Sequence, residues 1–453
     1  LAGAVGSVPF LHSSSVCGRT RAAAYRVAPF RVDVTPPLGH PLLGGDFRRA
    51  EKIGDSLFAQ GVVLAGDERP IVFCTLDWCE LRNQSYAAWR EALAAAADTT
   101  PERVLVSCVH QHDAPYVDLA AQAILREAGV AQAMCDPEFH RQAVDRVSQA
   151  VKQSLAATVP LTHVGRARTR VERIASSRRV LRQDGTPYFG RYSTCRDPAL
   201  REQPEGEIDP DLISLTFYNG DRAVAALHSY AVHPMSPYGR GIVSADFVGQ
   251  ARARRQQETP DVMQIYATGC SGDVTAGKYN DGSAGVRDQL AERLYDALKR
   301  VDGSEERFAV DRLDCRAEPI VLPHRDIPAL RADALERTIA DESQRFNARA
   351  MAALGLSSLR HHAAGHHVDL QVVDFGAAQL ALFPAESFVS FQRQLQELLP
   401  RKFIIPVGFG ECAPGYIPTS SAIREGFREE HGYCWVDDSA ERRIVDGMKR
   451  LLS

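Results

Sequence analysis

The segment VLVSCVHQHDAPYVD, residues 104–118, decides how the whole chain is read. It opens as a short apolar, β-branched run of strand length and ends on His110-Gln111-His112. Side chains two apart on a strand share a face, so both imidazoles can point at one site. Neutral imidazole suits zinc, and an HxH where a hydrophobic strand runs out is a metal-site signal. Taken alone, the motif leaves packing or surface histidines as an even alternative.

Moving outward, the pattern repeats. Apolar runs of strand length stand at 61–66, 71–78, 212–219, 223–233, 262–267, 370–383 and 403–409. Helical patterns lie between them at 87–97, 137–157, 249–257, 286–301, 328–354 and 389–399. This rhythm predicts an α/β fold, a mixed-sheet core flanked by helices with the site at strand ends. Two further strand ends carry metal-binding groups: AVAALHSYAVHPMS (223–236) closes on His233-Pro234, and LALFPAES (380–387) closes on Glu386. Two histidines and a carboxylate are a standard catalytic zinc set that leaves one position for water.

Two segments interrupt the rhythm. Residues 166–210, rich in Arg, Gly and Pro, read as a long functional loop with a hairpin at Gln183-Asp184-Gly185. Residues 325–367 read as a charged helical insertion ending in His361, His362, His366 and His367, taken here as an exposed cluster. No fixed-period repeat and no linker is visible. The expectation is one catalytic domain over 25–453, preceded by an extension or leader remnant at 1–24. A small, apolar start points to export, periplasmic or secreted, with a cytoplasmic location as the alternative.

Composition excludes several classes. An apolar fraction of 45% with 24% charged residues is that of an ordinary globular chain. A net charge of −4 offers no basic field for nucleic acid. No stretch of about 18 apolar residues is present to span a bilayer. The ten cysteines include no CxxC pair, which argues against a thiolate zinc site.

From Phe30 to Ser453 the order of motifs resembles the neutral, non-lysosomal ceramidases and their shorter bacterial relatives. TLDW with Asp77 precedes VHQHDAP; then come Val232-His233-Pro234, Gly272-Asp273-Val274-Thr275, Pro384-Ala385-Glu386, Gly415-Tyr416 and Gly432-Tyr433. The resemblance implies a Zn2+ held by His110, His233, Glu386 and Tyr416. It implies His112 as an acid/base or outer group, Tyr433 as a donor to the developing oxyanion, Thr275 at the family's turn serine, and Asp77 and Asp246 as outer residues orienting histidines or backbone. The family's arginine falls on Arg178 or Arg179. Ser176-Ser177 and Ala276-Gly277 depart from its pattern, so the pocket wall is expected to differ. Nothing after Tyr433 corresponds to the immunoglobulin-like domain of the full ceramidases, which makes ceramide itself the less expected substrate.

The implied activity is zinc-dependent hydrolysis of an amide (N-acyl) bond in a small-molecule, lipid or glycan substrate. Alternatives are an esterase, deacetylase or lyase acting on a polar or carbohydrate compound, and a non-catalytic binding protein. A β-lactamase-like metal site is disfavoured because Ala114 and Pro115 stand where its Asp and His belong. A barrel amidohydrolase lacks the eightfold βα rhythm.

Overall fold

The computed structural model describes residues 25–452, so the expected leader segment at 1–24 lies outside the described residues. Fourteen strands matter for the site. They are β1 (Arg26–Asp33), β2 (Phe58–Ala65), β3 (Ile71–Leu76), β4 (Val104–Cys108), β5 (Val159–Pro160), β6 (His163–Arg170), β7 (Asp211–Asn219), β8 (Arg222–Tyr230), β9 (Met263–Thr268), β10 (Glu306–Ala309), β11 (Asp314–Ile320), β12 (Val368–Asp374), β13 (Ala378–Leu382) and β14 (Phe403–Val407). They form three sheets ordered β4-β3-β2-β1-β5, β9-β8-β7-β6-β10 and β14-β13-β12-β11. The fold is α/β with mixed sheets, as the sequence rhythm predicts.

The three sheets repeat one topology. Each is an antiparallel meander of three strands whose last strand continues through a helix to a parallel neighbour. The crossovers are β3 to β4 through α1 (Gln84–Ala97), β8 to β9 through α4 (Asp246–Glu258), and β13 to β14 through α8 (Val389–Leu398). A parallel pair needs such a crossover, and ligands gather beyond the carboxyl ends of strands joined this way. Apolar side chains from all three sheets share one core, including Phe73, Leu215, Ile265, Val373 and Ile405.

Helices cover the outer faces. α1 and α3 (Pro137–Ala156) bury Trp89 and Phe139 with Trp78 against the first sheet, and α2 (Leu119–Glu127) packs beside α1 through the same core. α4 and α5 (Val286–Val301) cover the second, and α9 (Ala440–Leu452) packs on the third. The expected insertion lies between β11 and β12. It holds α6 (Ala332–Ala340) and α7 (Phe346–Ala363), whose Leu335, Ile339 and Leu354 join the first core.

Two sequence expectations change. The single helix expected over 328–354 is two, broken where Asp341 Oδ1 accepts the Ser343 amide at 3.0 Å. The expected loop at 166–210 begins inside β6, a strand hydrogen-bonded on both sides. Its hairpin does form, pairing Val180 with Tyr188. No described helix is long and apolar enough to cross a membrane, and the described cysteines are all free.

Candidate metal centre

Each proposed ligand follows a strand of a parallel pair, so the repeated topology itself brings them together. His110 comes just after β4, His233 after β8 and Glu386 after β13. Tyr416 arrives on a short strand paired in parallel with Glu386-Ser387. Several of these turns hold non-glycine residues in the left-handed region: His110 (φ 72°), Ala385 (φ 48°) and Phe409 (φ 55°). Backbone strain of this kind persists only where the surroundings enforce it, and it concentrates at functional sites.

The hydrogen bonds fix which nitrogen of each histidine faces inward. His110 Nδ1 lies 3.0 Å from the Cys79 carbonyl and His233 Nδ1 lies 2.6 Å from the Ser271 carbonyl. A carbonyl only accepts, so both Nδ1 atoms carry the proton and both Nε2 atoms present lone pairs. Burial holds both imidazoles well below their usual range, hence neutral; neighbouring histidines add to the effect at His110 and Arg178 at His233. His233 Nε2 is 2.8 Å and His110 Nε2 3.7 Å from Glu386 Oε2.

Two imidazole lone pairs and the Glu386 carboxyl therefore converge in a site where all three side chains are buried, and burial raises that carboxyl to about 8, so without a cation it keeps a proton shared with His233 at neutral pH. A cation among the lone pairs would displace that proton and gain an anionic ligand. The donor set, two imidazoles and one carboxylate within 4.8 Å of one another, fits zinc. Cys79, His110 and His112 form a second close group. It uses the Nδ1 side of His110, already bonded to a carbonyl, and a thiol that burial pushes well up.

Tyr416 completes the ring. Its hydroxyl accepts from Arg178 Nη1 at 2.8 Å and also interacts with Glu386. Burial raises the phenol pKa and Arg178 opposes that rise. Of the two candidate arginines it is Arg178 that faces inward, 5% exposed, with its Nε buried and unpartnered. Arg179 turns outward to Glu425 at 2.6 and 2.8 Å. His112 stands beside the centre, its ring 5.3 Å from that of His110, with Nε2 buried and unpartnered.

The remaining expected residues sit further back. Asp77 makes a two-pronged buried salt bridge to Arg252 at 2.6 and 2.7 Å and accepts the Phe58 amide, so it anchors backbone and an arginine; neither contact is to a histidine. Asp246 accepts the Ser236 and Phe247 amides, fixing the turn that follows His233. The Thr275 hydroxyl accepts the Gly277 amide at 3.1 Å and holds that turn. Tyr433 is engaged behind His110: its hydroxyl donates to Glu80 at 2.5 Å and also meets Arg82 and Tyr116.

Sequence reading missed the support beneath His110. Phe409 stacks on its ring at 4.2 Å, and Glu80 Oε1 lies 3.7 Å from its Nδ1. Arg82, fully buried, joins Glu80, Asp118, Ser358 and two carbonyls. Glu80 lies three residues past Asp77, so an acidic residue just beyond a predicted strand end was the available signal.

No family model matches the sequence, and no curated protein matches it. Among solved structures the chain is similar to the neutral ceramidase of Pseudomonas aeruginosa, with a TM-score of 0.68 and 16% identity over 95% of this chain and 75% of that one. It is equally similar to a structure described as ceramidase complexed with C2, with a TM-score of 0.68 and 16% identity over 95% and 76% of the two chains. The chain thus has the neutral ceramidase fold.

Proposed function

We propose that this chain is a zinc-dependent hydrolase that cleaves an N-acyl bond at the centre formed by His110, His233, Glu386 and Tyr416. The observation that carries the reading is the convergence of two unprotonated Nε2 atoms and a carboxylate oxygen on one buried point. The fold shared with neutral ceramidases supports the same reaction class. Zinc, when bound, would supply Lewis-acid polarisation and a water acidic enough to attack a carbonyl at neutral pH.

The chain's own groups account for the rest. The Cys79 and Ser271 carbonyls hold the ligating histidines in one tautomer and orientation. His112, neutral and with a free Nε2, is placed to take a proton and return it to the leaving amine. Arg178 steadies the Tyr416 hydroxyl and keeps an unpaired Nε for an oxygen of the reacting group. Tyr433 would have to release Glu80 before it could act as an oxyanion donor, so we assign it to positioning Glu80 and Arg82.

A second reading, an esterase, deacetylase or lyase acting on a polar or carbohydrate substrate, is favoured by the same unpartnered Arg178 Nε beside polar rings. Tyr238 meets His112 at 5.0 Å and His431 meets Tyr416 at 5.7 Å. Metal analysis combined with turnover of N-acyl lipids, N-acyl amino acids and acetylated or acidic glycans in 18O-labelled water tests both. One zinc per chain with label in the released acid supports amide hydrolysis; an unsaturated, unlabelled product supports elimination; a metal-free, inert protein overturns both. Export is proposed with it, and fractionation of the native cell checks that.

A further inference from the structure

The four histidines at 361–367 do not stand alone. His324 is bridged antiparallel to Val436, a register fixed by the Arg325 amide to the Trp435 carbonyl at 2.7 Å and the Asp437 amide to the Pro323 carbonyl at 2.9 Å. Its ring joins His361, His362, His366 and His367 around one pocket walled by Trp435. Both ring nitrogens of His324 are buried and neither makes a well-formed hydrogen bond, the one backbone approach being that of Arg325. A buried polar atom left unpaired costs about 1–3 kcal/mol, so two on one rigidly placed ring call for an occupant.

The chemistry of the lining selects that occupant. The lining offers five imidazoles, which in their neutral form present ring-nitrogen lone pairs. His367 approaches Asp369 at 3.4 Å, but Arg90 already pairs with that carboxylate at 2.7 Å. A pocket of imidazoles without a free carboxylate suits borderline transition cations and discriminates against magnesium and calcium. We infer that this pocket is a second metal site, taking a divalent cation of the zinc, nickel or copper class through His324 and the imidazoles of the 361–367 segment.

The site is separate from the centre described above. Its wall includes Ser358 and Ala413, which accept from Arg82 Nη2 at 2.8 Å each, so it lies on the far side of the Glu80–Arg82–Tyr433 group. His361 and His366 now stack, 4.0 Å apart and within 7° of parallel. Among the described residues, the groups with three ligand atoms within 4.8 Å are both at the first centre. Closure on a cation therefore requires rings at the exposed end of α7 to rotate, which makes the second site the weaker of the two.

The test uses full-length protein carrying one zinc at the first centre. Calorimetric titration with Ni2+, and elemental analysis after dialysis against Zn2+, should reveal a second equivalent. His324→Ala should weaken that equivalent by at least about 10- to 100-fold, the loss that even an outer partner of a metal site produces, while the first zinc stays bound and reports an intact fold. His324→Gln and His362→Ala give the same readout should the alanine variant not fold. Absence of a second equivalent overturns the inference. So does undiminished binding in the folded His324 variants, which would mean an adventitious ion only, held by the surface histidines.

Discussion

His233 Nε2 stands 2.8 Å from Glu386 Oε2 while the opposite nitrogen of the same ring is held by the Ser271 carbonyl at 2.6 Å. The short contact thus joins a lone pair to a carboxyl that burial raises to about 8, so the metal-free pair shares a proton below that pH and is two acceptors above it. Replacing the carboxylate by an amide, Glu386→Gln, lets an N–H donate to His233. In chelator-treated protein above about pH 8, where the parent carboxyl is ionised, this variant should melt higher than the parent by the equivalent of about 1–2 kcal/mol for one satisfied buried pair, and at pH 6 the two should melt alike. With zinc present the order should reverse, because an anionic ligand has been lost. Thermal melts of both proteins with and without chelator check this; a variant less stable than the parent in both conditions would remove the argument for a cation at this point.

His112 separates binding from chemistry. Its Nε2 is buried without a partner and lies outside the close group formed by His110, His233 and Glu386. His112→Ala should keep one zinc per chain and lose about 10²–10⁴ in kcat, the usual worth of a positioned acid/base group. His110→Ala should lose both metal and turnover. Metal stoichiometry measured beside single-turnover rates distinguishes the two, and loss of zinc from the His112 variant would make that residue a ligand.

Glu411 sets a pH dependence of stability away from the ligands. Burial raises its carboxyl to about 8, against the stabilising pull of the Asn83 and Ala413 amides. The folded state therefore holds a proton that the unfolded state releases near 4.5. Stability from this group is present below about pH 4.5 and is lost as pH rises toward 8. Glu411→Gln keeps an acceptor for the amides at 2.7 and 3.0 Å and removes the ionisation. It should flatten the decline between pH 5 and 8 and gain on the order of a few kcal/mol at pH 8 relative to pH 5. Urea denaturation of both proteins across that range is the measurement.

The sequence made His110, His233 and Glu386 visible because each closes an apolar run, and alternation shows where such a run ends. It hid β6 and β11, HVGRARTR and DCRAEPI, because their charged residues break the apolar pattern expected of a sheet interior. α9 carried a readable signal in Ile444, Met448 and Leu451 at helical spacing. The threefold topology left no trace as a repeat, since backbone pairing is repeated here by different side chains. Glu80 and Tyr433 are far apart in the chain and meet only through tertiary packing. Resemblance implies Tyr433 as an oxyanion donor, and packing adds what the sequence hides, that its hydroxyl donates to Glu80.

That commitment can be tested directly. The Tyr433 hydroxyl is one of the donors to Glu80, a buried acid that also faces Arg82 at 3.2 Å and His110 at 3.7 Å. If Tyr433 acts by positioning, Tyr433→Phe should destabilise the protein by about 1–3 kcal/mol through the buried hydrogen bonds lost to Glu80 and Arg82. It should also lower zinc affinity modestly, because the support beneath His110 loosens, and change kcat at saturating zinc by less than His112→Ala does. If Tyr433 instead leaves Glu80 to donate to the oxyanion, the pattern inverts: stability and zinc affinity stay near those of the parent, and kcat falls by about 10²–10³, the loss expected of an oxyanion donor. Zinc titration, urea denaturation and kcat measured on one preparation decide between them.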